Sequence, residues 1–326
     1  MVEITYREAL NQALKEEMRR DPKIFIIGEE VAYYQGTYKV TRNLLAEFGD
    51  NRVKDTPISE EIIVGTAVGA AISGLRPIAE LMTVNFSLLA MDQIINHMAK
   101  IYYMFGGQVN VPVVIRTPQG AGKQLGAQHS QMLEAYFFHC PGIKVVLPSS
   151  PADAKGLLKT AIRDNNPVMF IEDQDLYSKK GDVPSGDYIL PLGKANILKE
   201  GEEITLIGYS RSVLDCQKAS EELEMKGISA EVIDLRCLSP LDKKTMFDSV
   251  RKTGLAIVVN RAWRTGSAAA EIASLITENC FEYLDAPVMR ISAQDVPMPY
   301  NRDLEQAALP HPEDIVNAAE KLIKGK

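Results

Sequence analysis

The sequence predicts an α/β fold in two domains, each a mostly parallel sheet flanked by helices. Three observations lead there. Short apolar runs of four or five residues alternate with longer stretches of helical periodicity. An interval rich in Gly, Pro and Asp, spanning 172–191, separates two such series. The 326 residues suffice for two cores at roughly 100–200 residues each. On this reading residues 1–175 form the first domain, 176–195 a linker, and 196–326 a second, smaller α/β domain.

Each element has a local reason. Thr5-Tyr6-Arg7-Glu8 is a capping box that opens a helix with Leu10, Ala13, Leu14 and Met18 on one face, ended by Asp21-Pro22. Ile24-Phe25-Ile26-Ile27, closed by Gly28, reads as a buried strand, and Gly28-Glu29-Glu30 opens a polar loop. A short strand near Arg52–Asp55 meets Pro57, after which Ser59 is expected to cap a helix rich in Gly and Ala. Pro77–Leu81 is a strand. Leu88, Met91, Ile94, Ile95, Met98, Ile101 and Tyr102 then predict one longer helix, stopped by Gly106-Gly107. Pro112–Ile115 and Lys144–Leu147 are strands on either side of a Gly-rich loop from Pro118 to Gln128. Ser150 with Pro151 opens a helix to Arg163, and Pro167–Ile171 closes the series. In the second domain, strands at 204–207, 230–235 and 255–259 alternate with helices reaching Lys226, following Pro240 and spanning Ala268–Asn279.

Composition excludes several classes. Apolar residues make up 46% and charged residues 24%, near the globular average, which argues against a disordered chain. No apolar run reaches the ~18 residues of a membrane span. The net charge of -7, without a basic stripe, argues against nucleic acid. Cys140, Cys216, Cys237 and Cys280 are widely spaced, so a reducing compartment is expected rather than a disulfide framework. The four histidines make no zinc spacing. No secretory or transit pattern precedes Thr5, so the expected location is the cytoplasm, or an organellar matrix or stroma for a mature form.

Familiar active-site motifs are absent. No G-x-G-x-x-G follows a strand, and Gly120-Ala121-Gly122-Lys123 runs into Gln124 without the upstream spacing of a P-loop. Two side chains remain. Glu60 stands in the first turn of the Gly/Ala-rich helix, where it complements the helix dipole or serves as a carboxylate at a strand-to-helix junction, a ligand-binding edge of α/β sheets. His129, after the Gly-rich loop, is either a satisfied loop residue or a proton donor and anion contact. Phe86 and Tyr34 read as core aromatics unless a flat ring binds beside them.

At Asp55-Thr56-Pro57-Ile58-Ser59-Glu60 the chain resembles the β subunits of the thiamine-diphosphate-dependent 2-oxo acid dehydrogenases. Gly74–Ile78, Ala127–Gln131, Ala154–Leu158 and Ala161–Pro167 carry the resemblance onward, through to Val296-Pro297-Met298-Pro299-Tyr300. Five motifs in order over essentially the whole chain make it specific, nearest to the pyruvate branch. The resemblance implies a pyrimidine-type thiamine-diphosphate domain followed by a transketolase C-terminal-like domain. It implies oxidative decarboxylation of pyruvate and reductive acetylation of a lipoyl group, as half of an α2β2 enzyme. Glu60 would bond N1′ of the aminopyrimidine, Phe86 would pack on that ring, and Tyr34 and Ile58 would line the same side. His129 would serve acyl transfer to the lipoyl group of the E2 acyltransferase. The family's Gly-Asp-Gly magnesium motif is missing, since Gly49-Asp50 is followed by Asn51, so Mg2+ and the diphosphate would be held by an E1 α subunit. A structural K+ site would use carbonyls at Val113, Ala161, Ile162, Asp164 and Asn166. One departure is Asn260-Arg261 and Gly266-Ser267, where relatives often carry an acidic residue and a Gly-Gly pair. Branched-chain 2-oxo acids or acetoin as substrate, and a non-catalytic assembly subunit, are the alternatives. No nucleic acid or membrane partner is expected.

Overall fold

The structure, a computed structural model, describes residues 1–325. It divides into two units. The first comprises residues 1–119 and 136–192, the second residues 120–135 and 193–326.

In the first unit β1 (Val2–Thr5) leads into α1 (Tyr6–Arg20), whose capping box is complete: Thr5 accepts from the Glu8 N–H, and Glu8 accepts from the Thr5 N–H. There follow β2 (Ile24–Gly28), α2 (Leu44–Phe48), β3 (Val53–Asp55), α3 (Glu60–Ile72) and β4 (Arg76–Glu80). After α4 (Ile101–Met104) and β5 (Val114–Gln119) come α5 (Glu134–Phe138), β6 (Lys144–Val146), α6 (Pro151–Arg163), β7 (Val168–Asp173) and β8 (Lys180–Val183). The central strands run parallel in the order β6-β7-β5-β4-β2-β3. Their burial on both faces explains the unbroken apolar runs. Helices α1 and α6 pack together on the sheet. Gly28 is required where β2 meets β4, because a Cβ there would lie 2.5 Å from the Glu80 carbonyl oxygen.

The order reverses at β2. From β2 the chain steps to β3 on one side, then returns past β2 to β4 on the other. The crevice outside the carboxyl ends of β2 and β4 is therefore a topological switch point.

One expectation needs correction. The single helix expected over Leu88–Tyr102 is instead a 3-10 turn (Val84–Ala90), a π segment (Gln93–Met98) and α4. The apolar spacing is present, but the Asn85 side chain donates to Thr83 Oγ1 and Ser87 Oγ to the Val84 carbonyl, and such local bonds compete with regular helix. The interval expected as a linker contains β8, paired antiparallel with β1, and its Leu190 backbone bonds to Gly156 and Thr160 of α6.

The second unit contains β9 (Asn196–Lys199), β10 (Ile204–Gly208), α7 (Ser212–Met225), β11 (Ala230–Asp234), β12 (Cys237–Ser239), α8 (Lys243–Thr253), β13 (Ala256–Trp263), α9 (Ala268–Cys280), β14 (Met289–Ala293), α10 (Arg302–Ala308) and α11 (Pro312–Lys324). Its sheet runs β14-β13-β10-β11-β9, parallel except for β9 at the edge. Here the switch point lies between β10 and β13. The core is aliphatic, built from Leu206, Val232, Ile257, Leu223 and Ile315 among others.

Candidate functional site

Acidic side chains gather at the carboxyl ends of the first unit's strands. Gly28 ends β2 level with Asp55 of β3 and Glu80 of β4. Asp55 accepts from the Ala32 and Tyr33 N–H groups at 2.6 and 3.1 Å, which shapes the loop after β2. Glu60 begins α3, only 4% exposed, beside Glu29, which is also buried. Burial raises the Glu29 carboxyl above the ordinary range. The like charge of Glu60, and a hydrogen bond with it, raise it further. One Glu29 oxygen is buried without a hydrogen-bond partner.

Behind them stands a buried triad. Arg116 of β5 bonds Glu172 through Nε and Nη2 and Glu80 through Nη1, while the Tyr177 hydroxyl donates to Glu172 at 2.6 Å. All four residues are almost fully buried. Burial pushes the Glu80 carboxyl up, against the pull of Arg116.

Of the residues expected at the cofactor, Tyr34 and Ile58 are exposed, at 55% and 81%, and Phe86 is half-buried on the 3-10 turn that packs against α3. Lys39 lies over the Tyr34 ring, 3.3 Å from its centre. Ser59 precedes α3 as expected but makes no side-chain cap bond.

The residues expected around potassium converge at the carboxyl end of α6. Arg76 donates to the Ile162 carbonyl at 2.8 and 3.0 Å, to the Asp164 carbonyl, and to Asn165 Oδ1. The Val113 and Ala161 carbonyls accept from Val168 and Asp164 N–H groups. Burial alone would raise the Asp164 carboxyl, but bonds from Lys144 and Asn166 outweigh it and hold it below the usual range. The Ile162 carbonyl already takes two Arg76 donors, whereas the Val113, Ala161 and Asp164 carbonyls keep capacity for a weakly charged cation.

His129 is exposed on a loop of the second unit. Residues 121–134 reach the carboxyl ends of β10 and β13, where Tyr209 donates to Glu134 at 2.9 Å and also meets the buried Asn260. An acid in place of Asn260 would set a second carboxylate against Glu134. No cluster of three or more His, Cys, Asp or Glu suited to a metal occurs among the described residues, nor any helix long and apolar enough to cross a membrane.

Sequence reasoning singled out Glu60 and passed over Glu29, the Arg116 triad and Glu305. The available signal was placement: Glu29, Glu80 and Glu172 each stand at the end of a buried strand run, where a carboxylate has no packing reason to be.

The family described as "Transketolase, pyrimidine binding domain" matches residues 2–180, and "Transketolase, C-terminal domain" matches residues 193–315. Over 98% of its length the chain is 50% identical to the pyruvate dehydrogenase E1 component subunit beta of Rhizobium meliloti (strain 1021), spanning 69% of that protein. It is 49% identical to the protein of that name from Rickettsia bellii, over 98% of this chain and 99% of the relative. The mitochondrial protein of Dictyostelium discoideum is 48% identical, over 98% and 91%. A solved structure described as a split gene transketolase, inactive beta4 tetramer, matches with a TM-score of 0.82 over 99% of both chains, at 24% identity. At that identity the likeness speaks for the fold alone.

Proposed function

Because the chain belongs to the family of pyruvate dehydrogenase E1 component β subunits, we propose that it holds the aminopyrimidine end of thiamine diphosphate in a heteromeric enzyme completed by an E1 α subunit. The reaction is oxidative decarboxylation of pyruvate with transfer of the acetyl group to a lipoyl group of E2. The observation that carries the reading is Glu60, a carboxyl 4% exposed at a topological switch point beside Glu29, whose own carboxyl is raised by burial and then by Glu60.

The residues fit the cofactor. A buried carboxyl is what a ring nitrogen needs to gain and lose a proton at neutral pH, and Glu29 has a buried oxygen with capacity to spare. When bound, thiamine diphosphate supplies the nucleophilic carbon and the electron sink. Glu60 holds and moves the proton at N1′. Phe86 offers an aromatic face to the ring, while Tyr34 and Ile58 cover its side and exclude water. His129 contacts the acyl acceptor. Mg2+ and the diphosphate belong to the α subunit, and the carbonyls of Val113, Ala161, Ile162, Asp164 and Asn166 hold a structural K+. The last point is checked by thermal midpoints in KCl against choline chloride; equal values refute it. The reading puts the work in cytoplasm or matrix, supported by bacterial and mitochondrial relatives.

The test is reconstitution with an α chain that carries the Gly-Asp-Gly metal motif, assayed on pyruvate, 2-oxoisovalerate and acetoin. Pyruvate is expected to turn over best. Preference for a branched acid or for acetoin would move the chain to a sister enzyme, and no turnover of any would leave it an assembly subunit.

A further inference from the structure

We propose that Glu305 is a positioning residue for the loop that carries His129: its buried carboxylate fills an anion nest in that loop's backbone, and the Tyr209–Glu134 bond fixes the loop's other end. The proposal rests on the reading of His129 as the residue that contacts the acyl acceptor.

Glu305 lies in α10 and is fully buried. No Lys or Arg pairs with it among the described residues. It accepts instead from the Gly122 N–H at 2.8 Å and from the Gln124 N–H at 3.0 and 3.3 Å, across a separation of more than 180 residues. The loop is shaped for this. Its φ values are positive at Gly120, Gly122, Gln124 and Gly126 (+132°, +106°, +56° and +77°). Alternating positive φ turns alternate N–H groups toward one side, a concavity that binds anions. In P-loop proteins a similar concavity cradles phosphate. Here the chain's own carboxylate occupies it, which accounts for a Gly-rich loop with no nucleotide motif. The left-handed Gln124 costs about 1 kcal/mol or more, and such strain persists where surrounding contacts hold it.

Both feet of the loop are secured. Ala121 and Met132 are buried with Ala262, Met298 and Leu309. At the far foot Tyr209 donates to Glu134, both within 3% exposure. Burial, and then the Glu134 charge, hold the Tyr209 hydroxyl well above its ordinary range, so it stays a donor. Between the feet Lys123–Leu125 and Ala127–His129 are exposed, and Ser130 is buried again. The result is an exposed arch on two fixed points with His129 at its end. The switch-point crevice of the second unit, where a ligand would be expected, instead receives this chain segment.

The experiment uses Glu305→Gln in the assembled α2β2 enzyme. Glutamine keeps the shape but turns an NH2 toward backbone donors. Hydrogen exchange at 121–130 should quicken by roughly tenfold, the equivalent of one hydrogen bond. kcat/KM for a lipoyl domain should fall roughly tenfold through a misplaced His129, while decarboxylation with an artificial electron acceptor stays within about twofold. Unchanged exchange overturns the clamp, whatever the activities do. Faster exchange with both half-reactions intact overturns the positioning role, and His129→Ala then separates the two readings. If that variant alone slows acyl transfer, the reading of His129 stands; if it too is silent, that reading falls. Should Glu305→Gln fail to assemble, Tyr209→Phe loosens the other foot and faces the same criteria.

Discussion

At the scale of single residues, the proposed chemistry rests on carboxyl groups held where water cannot level them. Glu60→Gln keeps the shape and can still hydrogen-bond, but it cannot exchange a proton. Its fold and assembly should be intact while the rate of C2 proton exchange in bound thiamine diphosphate falls by roughly 10²–10⁴; a wild-type rate would refute the assignment. Glu29 makes a thermodynamic prediction. Its carboxyl is raised by burial first and by Glu60 second. An acid whose folded value lies above its unfolded value, about 4.3, contributes stability that is whole below that pH and is lost as pH rises through the folded value. Glu29→Gln should therefore gain in thermal midpoint relative to wild type at pH 7 and lose that gain near pH 4, as read by calorimetry at the two pH values. Arg116 is the opposite case. Its removal leaves Glu80 and Glu172 buried together without a cation. Arg116→Met should cost about 3–5 kcal/mol in urea unfolding; a loss under ~1 kcal/mol would show that the triad readjusts by taking up a proton.

Elements show what the sequence could and could not say. The buried strands were legible as short, mostly apolar runs, several bounded by Gly or Pro, as at Ile24–Gly28 and Pro167–Ile171. Helix starts were legible where a side chain does the capping, as at Thr5 and Ser150. The 84–104 stretch was not, because apolar spacing records which face is buried and not how tightly the backbone winds. Strand β8 was hidden because its residues, Lys180–Val183, are those of a turn, and it exists only through its partner β1. Glu305 was illegible for a related reason: its partners are backbone N–H groups far away in sequence. Helix α3 forms where the Gly/Ala-rich stretch predicted one. A Cβ at Gly69 would meet nothing within 4 Å in this chain, whereas one at Gly65 would meet the Gln93 side chain at 3.3 Å. Gly69 therefore does not serve the internal core, and mid-helix glycine costs about 0.5–1 kcal/mol against alanine. Close approach of another subunit is the remaining reason. Gly69→Leu should leave the isolated chain as stable as wild type or more so, yet weaken the complex with α, measured by sedimentation. An intact complex of normal activity would return the glycine to a role in this chain alone.

At the scale of the whole molecule, the question is what one chain can do without a partner. On the proposed reading Glu60 provides for one end of the cofactor only. The other end is a diphosphate, whose charge needs a metal ion, and the described residues offer no metal cluster. The chain's own net charge of -7 makes an unneutralised diphosphate still less welcome. Its surface carries a matching incompleteness. Ile58, Ile62, Leu89, Tyr103, Met104 and Phe105 are each more than half exposed, on or just before α3 and along residues 89–105. A soluble monomer rarely leaves so much apolar surface in neighbouring segments unless another chain covers it. Because Ile58 and Ile62 bracket Glu60, the exposed apolar surface and the carboxyl proposed to serve the cofactor come from the same turn of chain. Assembly and catalytic competence should then appear together. The purified chain should bind thiamine diphosphate weakly and show no decarboxylation, and titration with an α chain should restore both in step, with a single stoichiometry read by calorimetry and by turnover. Steady turnover by the chain alone, or cofactor affinity that saturates before the partner does, would mean that it holds the diphosphate itself and that the apolar surface has another purpose.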